Sequence, residues 1–299
     1  MRIAWLLNLD ADEELADPDG YVRSESMARR VRRYARQTAG LAAPEDIILD
    51  VDPEPVRGGL PGDFLGRAWC PTPRALGALQ RAGATVPPAP PLDVLRRVNC
   101  RRFAARLAQP LDGARYVSRL EDLDDHLATL ASDASHAATT WVVKRAFGFA
   151  GRGQRRLRLP VRDAATRRWL VATLAGRDGA QVEPWVERLA DFGLHGWIEP
   201  DGAIRLGTPT VQTCDARGAW LRSRLATAAD LEASARNALN AMGERAAHAL
   251  QAARYFGPFG VDAYRWRDPR GGVRFNPCSD INARYSMGWP IGMRGFRPS

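Results

Sequence analysis

Apolar residues fall alternately into short unbroken runs and into helical spacing along the chain, which predicts strands interleaved with helices. Ile3 to Leu9 reads as a first buried strand, with acidic residues following at once. Met27, Val31 and Tyr34 share one face of a helix over 24–37, and Arg29, Arg30, Arg32, Arg33 and Arg36 spread around the rest. That arginine-rich surface reads as a solvated face. Ile47 to Val51 reads as a strand and 52–62 as loop. A strand into Trp69 then precedes a helix that Thr72 can cap and that stops near Gly83. The proline-rich 87–91 is a stiff connector and the first domain boundary.

Beyond the connector, 98–108 (VNCRRFAARLA) reads as helix, Ala114 to Ser118 as strand and Leu120 to Ala131 as an acidic helix. Trp141 to Lys144 is a strand, 145–153 (RAFGFAGRG) a glycine-rich turn, Gln154 to Leu159 a basic strand and Ala164 to Leu174 a helix. The unit is α+β with the glycine-rich turn in its middle. Gln181 to Trp185 reads as a strand into a linker, followed by strands to about Cys214 and an alanine-rich helix over 228–253. PFGVDAYRW, a turn at 267–272 and VRFNPCSDINARYSMGW close the chain as a hairpin, and no repeat of solenoid period is present.

At 299 residues, 45% hydrophobic and 26% charged, the composition is that of a globular protein of two or three subdomains, which excludes disordered, collagenous and disulfide-stapled classes. No apolar run approaches the roughly 18 residues of a membrane span, and the N-terminus does not resemble a signal peptide, so a cytoplasmic protein is expected. Cys70, Cys100, Cys214 and Cys278 form no CxxC pair, which argues against zinc or redox motifs and for reduced thiols. His126, His136, His195 and His248 lack metal-binding spacing and read as surface or structural residues.

The net charge of +9 is compatible with a polyanionic partner. The kind of base says more: 42 arginines stand beside one lysine, Lys144. A chain that uses arginine elsewhere and keeps one lysine at a strand end, before a glycine-rich turn, needs a compact charge on a flexible stem there. Gly148, Gly151 and Gly153 let backbone N–H groups approach phosphate oxygens closely. In the closing hairpin, pairing Trp266 with Arg274 sets Asp262 opposite Cys278, with Asp280 diagonal to Asp262. Asp262, Asp280 and Asn282 then share one face and offer hard oxygen ligands suited to Mg2+.

The order of Lys144, the glycine-rich loop, Gln181-Val-Glu-Pro-Trp-Val-Glu187, Asp262 in GVDAY and DINAR at 280–284 resembles the ATP-grasp superfamily of carboxylate–amine ligases. Val98 to Phe103 is similar to the opening of its central domain, so the resemblance spans about residues 98–288. It implies an α/β fold with an α+β lid, divided into an N-terminal domain (1–97), a central lid (98–182) and a C-terminal sheet domain (183–299), with ATP between the last two.

Residue by residue, the resemblance places Lys144 on the α/β-phosphates, Gly148, Gly151 and Gly153 over ATP, and Glu183 with the Val186 backbone at the adenine. Either Glu187 or Asp191 takes the ribose. Asp262, Asp280 and Asn282 would hold Mg2+, or Mn2+ in its place, and Arg284 would face the transferred phosphoryl or acyl phosphate. Two positions depart from the pattern: Asp280 stands where glutamate is usual, and Arg101 or Arg102 where a second phosphate-binding lysine is common. The implied activity joins small-molecule carboxylate and amine substrates, with release of ADP and phosphate. The arginine content favours an anionic substrate. A basic nucleic-acid-binding protein is the alternative from another class, and it leaves Lys144 and the DIN triplet unexplained; a nucleotide-binding protein of the same fold without turnover is a third.

Overall fold

Strand β1 (Arg2–Leu6) is apolar on both faces because it lies between parallel partners, β2 (Ile47–Leu49) and β3 (Phe64–Ala68). In this computed structural model the described residues are 2–50, 60, 63–133, 138–148, 153–176, 178–214 and 220–298. The strand expected over 3–9 ends at Leu6, because the Leu9 N–H turns back to the Leu7 carbonyl at 2.8 Å. A short helix, α1 (Ala11–Ala16), follows; the sequence reading did not foresee it. The acids around it face inward: Asp10, just before the helix, meets Arg23 at 2.6 Å, Glu14 accepts from the Thr72 hydroxyl at 3.0 Å, and Asp12 pairs with Arg284 at 2.7 Å.

Helix α2 (Glu25–Gln37) is capped by Ser24, which accepts from the Met27 N–H at 3.2 Å, and buries Ala28 and Val31. Arg32 meets Asp50 at 2.9 Å on its exposed face. Helix α3 (Pro73–Arg81) covers the other side of the sheet, and Thr72 caps it as expected.

The helix expected over 98–108 is two helices, α4 (Leu92–Asn99) and α5 (Arg101–Leu107), broken at Cys100, which is extended (φ −70°, ψ 131°). The break has a tertiary cause. The buried Asn99 side chain accepts the Ala283 N–H at 2.9 Å and donates to the Leu95 carbonyl at 3.0 Å. The next unit comprises β4 (Arg115–Val117), α6 (Leu120–Ser132), β5 (Thr140–Arg145), β6 (Gln154–Arg158), α7 (Ala164–Leu174) and β7 (Ala180–Pro184). Its sheet runs β4-β7-β5-β6, all antiparallel, over its own core of Leu123, Trp141, Val143, Leu170 and Val182.

The largest sheet runs β11-β10-β8-β12-β13, built from β8 (Glu187–Ile198), β10 (Thr210–Cys214), β11 (Trp220–Leu225), β12 (Gly257–Arg267) and β13 (Val273–Asn282), with β9 (Ile204–Leu206) on β8. Helix α8 (Ala233–Ala252) lies against β8, β12 and β13 and buries Leu239, Met242, Ala246 and Leu250. It starts later than the predicted 228, because Asp230 instead closes a turn by accepting the Thr227 N–H at 2.9 Å. Gly243 lets the helix approach, since a Cβ there would stand 2.5 Å from a Leu194 methyl. A short helix, α9 (Trp289–Gly292), follows β13. One core joins the first sheet to this one through Trp5, Leu7, Leu194, Val261 and Tyr285. No helix among the described residues is long and apolar enough to cross a membrane.

The closing hairpin pairs Trp266 with Arg274 as expected, but Asp262 sits opposite Asp280 rather than Cys278. Pro277 accounts for the correction: it has no N–H for the ladder, so β13 bulges and the register slips between Tyr264 and Asp262. The Cys278 N–H turns instead to the Asn276 side chain, at 3.0 Å.

Candidate active site

A cleft of about 580 Å3 opens where the three sheets meet. Leu9 and Trp69 line it from the first unit, Arg101, Lys144, Gly148, Gln154 and Arg156 from the second, and Asp262, Asp280, Asn282 and Arg284 from the last. Residues 185–188 and Asp191 complete the wall, so Val186 and Glu187 face it as well. A smaller cavity of about 40 Å3 shares Arg101, Lys144 and Ser279 with the cleft and adds Glu183 and Cys278.

The slipped register brings the two aspartates into direct opposition across β12 and β13. Asp262 accepts from Gln212 Nε2 at 3.2 Å and from Asn282 Nδ2 at 2.9 Å. Asn282 thereby spends its amide nitrogen on Asp262, so its carbonyl oxygen is the atom it could offer a metal ion. Burial and the facing Asp280 push the Asp262 carboxyl above its ordinary range, against the pull of the two amide donors. Two carboxylates and an amide oxygen held together are hard ligands for a divalent ion, and its charge offsets their repulsion, so the residues fit Mg2+.

Lys144, next to the last residue of β5, is almost fully buried and pairs with Glu183 on the neighbouring β7. Burial lowers its pKa; Glu183 opposes that fall, while Arg101 and Arg188 add to it. Arg101, first residue of α5, donates from Nε to the Arg145 carbonyl at 3.1 Å and from a terminal nitrogen to Asp280. The break at Cys100 therefore aims Arg101 into the cleft, while Arg102 instead reaches the Ser118 hydroxyl at 2.6 Å. Arg284 is anchored by Asp12 at 2.7 Å. Each of the three cations faces a carboxylate.

The remaining expected residues are placed as follows. Gly153 takes φ +72°, and its carbonyl accepts the Arg145 N–H at 2.7 Å, closing the hairpin whose tip carries Gly148. Gly151 lies outside the described residues. Glu187 meets Arg267 at 3.2 Å, and Asp191 meets Arg188 at 3.0 Å. Among the described residues no three His, Cys, Asp or Glu side chains gather around one point.

Sequence reasoning missed several cleft residues. Arg156 stacks 3.4 Å over the Trp185 ring, a cation–π contact between the second unit and the linker. Gln212 was not singled out, although it orients Asp262. His195 lies fully buried beneath Ser286, which lines the cleft. The Thr210 hydroxyl donates to the Gly193 carbonyl at 3.1 Å and accepts from Nε2 at 3.4 Å, so Nδ1 accepts the Ser286 hydroxyl at 2.9 Å. Burial pushes the imidazole pKa down to about 4. The available signal was glycine at 288 and 292: a Cβ at either would stand 2.5 Å from the ring.

No family model and no curated protein matches the sequence. Solved structures do match. A D-cycloserine synthetase aligns at TM-score 0.55 and 13% identity over 99% of this chain and 96% of its own. An N5-carboxyaminoimidazole ribonucleotide synthetase in complex with ADP aligns at TM-score 0.51 and 16% identity, over 95% of this chain and 70% of its own. D-alanyl-alanine synthetase A from Vibrio cholerae aligns at TM-score 0.50 and 11% identity, over 99% and 95%. All three share one architecture, and this chain has it too: its fold is the ATP-grasp fold.

Proposed function

We propose that the protein is an ATP-dependent ligase that activates a substrate carboxylate as an acyl phosphate and joins it to an amine, releasing ADP and phosphate. The observation that carries this reading is the gathering of Lys144, Asp262, Asp280, Asn282 and Arg284, drawn from separate elements, around one cleft of an ATP-grasp fold. The solved relatives are described as synthetases, one of them bound to ADP, which supports the nucleotide. We also propose three lobes at 1–97, 98–182 and 183–299, with α4 crossing the first boundary and β7 the second.

In this reading Lys144 and Arg101 hold the nucleotide phosphates under the loop that carries Gly148, Gly151 and Gly153. Glu183 and the Val186 backbone meet the adenine, and Glu187 or Asp191 the ribose. Asp262, Asp280 and Asn282 hold Mg2+, or Mn2+ in its place; bound there, the ion neutralises charge on the β- and γ-phosphates. Glu183, Asp280 and Asp12 compete with those phosphates for Lys144, Arg101 and Arg284, which keeps the buried cations paired throughout.

The substrate carboxylate oxygen attacks the γ-phosphorus as its bond to the ADP oxygen breaks. Lys144 and Arg284 stand ready for the charge that develops. The amine nitrogen then attacks the acyl carbon, the bond to phosphate breaks and the amine loses a proton. A closed loop keeps water from the acyl phosphate. Arg156, Arg188 and Arg284 on the cleft wall favour an anionic acid, and four cysteines outside any disulfide suit a reducing compartment such as the cytoplasm. A screen of candidate acids and amines for ADP release tests the reading. Release that needs both an acid and an amine supports it, and release with neither partner, or with the acid alone, refutes the joining step.

A further inference from the structure

We infer that Arg101 is a resident cation at Asp280, and that the site takes one divalent ion per nucleotide rather than a pair. The inference rests on the nucleotide-binding reading above and specifies its metal chemistry.

The two positions at which the chain departs from the ATP-grasp pattern are the two that touch: Arg101 pairs with Asp280. Asp280 is one methylene shorter than glutamate and arginine is longer than most side chains, so the reach lost on β13 is supplied from α5. The guanidinium is not a loose surface group. Its Nε is fixed on the Arg145 carbonyl at 3.1 Å, where the glycine-rich turn begins, and the Arg101 backbone N–H bonds the Ala146 carbonyl at 2.9 Å. One side chain thereby ties the start of that turn to a metal-site carboxylate.

The guanidinium at Asp280 is what leaves room for only one ion. Arg101 takes Asp280 Oδ2, and the Ile281 N–H takes Oδ1 at 3.1 Å. Both oxygens of Asp262 already accept from amides, Gln212 and Asn282. Each carboxylate oxygen has two lone pairs, so one stays open on each, and what limits the number of ions is the charge beside Asp280 rather than a shortage of lone pairs. A second ion at the usual separation of about 4 Å would need Asp280 as a shared ligand, beside a guanidinium of like charge. With five donors in a planar fork, Arg101 satisfies Asp280 and Arg145 and still has N–H groups for a phosphate oxygen. It bridges carboxylate and phosphate as a second ion would.

The test counts Mn2+ bound per molecule of a non-hydrolysable ATP analogue, from the electron paramagnetic resonance signal of the free ion. Wild type is expected to take one. Arg101→Met keeps the bulk and removes the charge, and it is expected to take two. Arg101→Lys keeps the charge and is expected to stay at one. Two Mn2+ in wild type overturns the inference, as does a count of one in a folded Arg101→Met. Should Arg101→Met fail to fold, the wild-type count decides alone. A count of two leaves the ligase reading standing, whereas a folded wild type that binds no analogue removes both.

Discussion

Lys144 and Glu183 make the sharpest case for separating stability from function. Their side chains are 9% and 13% exposed, so the pair is nearly dry. Removing one partner leaves a buried charge, a loss of about 3 kcal/mol at the lower end of the range for such pairs, because neither group is wholly enclosed. The two losses are unequal. Without Lys144, Glu183 still faces Arg101 and Arg188, whereas without Glu183 the lysine is left among those two guanidiniums. Glu183→Gln is therefore expected to cost more than Lys144→Met. The double variant buries no unpaired charge and is expected within about 1 kcal/mol of wild type, since replacing both charges of a buried pair is often neutral. Nucleotide binding behaves differently. A lost charge-assisted contact to phosphate is worth about 1.5–3 kcal/mol, about 10- to 100-fold in affinity. Lys144→Met is expected to show that loss, and the double variant at least as much, because Glu183 also meets the adenine in the proposed site. Chemical denaturation and calorimetric titration of the four proteins read both effects. A double variant that binds nucleotide like wild type, or a Lys144→Met no less stable than the double, would refute the reasoning.

Three further outcomes are expected. The His195 pKa of about 4 lies below the ordinary imidazole value of 6.5, so the unfolded chain binds the proton more readily, and its contribution is full above pH 6.5 and lost as pH falls toward 4. That loss reaches about 3 kcal/mol, with about 2 kcal/mol of it between pH 7 and pH 5, and denaturation of wild type and His195→Gln at the two pH values should differ by that amount. Gln212→Ala removes a donor that orients Asp262, so Mn2+ affinity in the presence of nucleotide is expected to fall about 10-fold; equal affinity would show that Asn282 alone suffices. Asn99→Ala leaves the buried Ala283 N–H without its acceptor and is expected to cost about 1–3 kcal/mol by denaturation, with weaker nucleotide binding because the α4–α5 break aims Arg101.

Local pattern carried much of the site into the sequence reading. Lys144, the glycine turn and the aspartate-bearing hairpin occupy contiguous stretches, so period-2 alternation alone placed Asp262, Asp280 and Asn282 on one face. What could not be read depended on residues far apart in the chain. The α4–α5 break comes from Asn99 bonding Ala283, 184 residues away, and no propensity in VNCRRFAARLA marks it. The buried acids around α1 look like a surface turn until Arg23, Thr72 and Arg284 are folded onto them. The register of the hairpin was a local miss with a local cause. Pro277 sits inside the edge strand β13, and a proline within a strand is itself a signal of an edge or a bulge.

Binding of a non-hydrolysable ATP analogue with Mg2+, titrated by calorimetry into wild type, Lys144→Ala and Asp280→Ala, tests the nucleotide site most directly. The expected result is binding by wild type, its loss in Lys144→Ala, and binding no longer strengthened by Mg2+ in Asp280→Ala. A folded, monodisperse wild type that takes up no analogue would contradict the ligase reading.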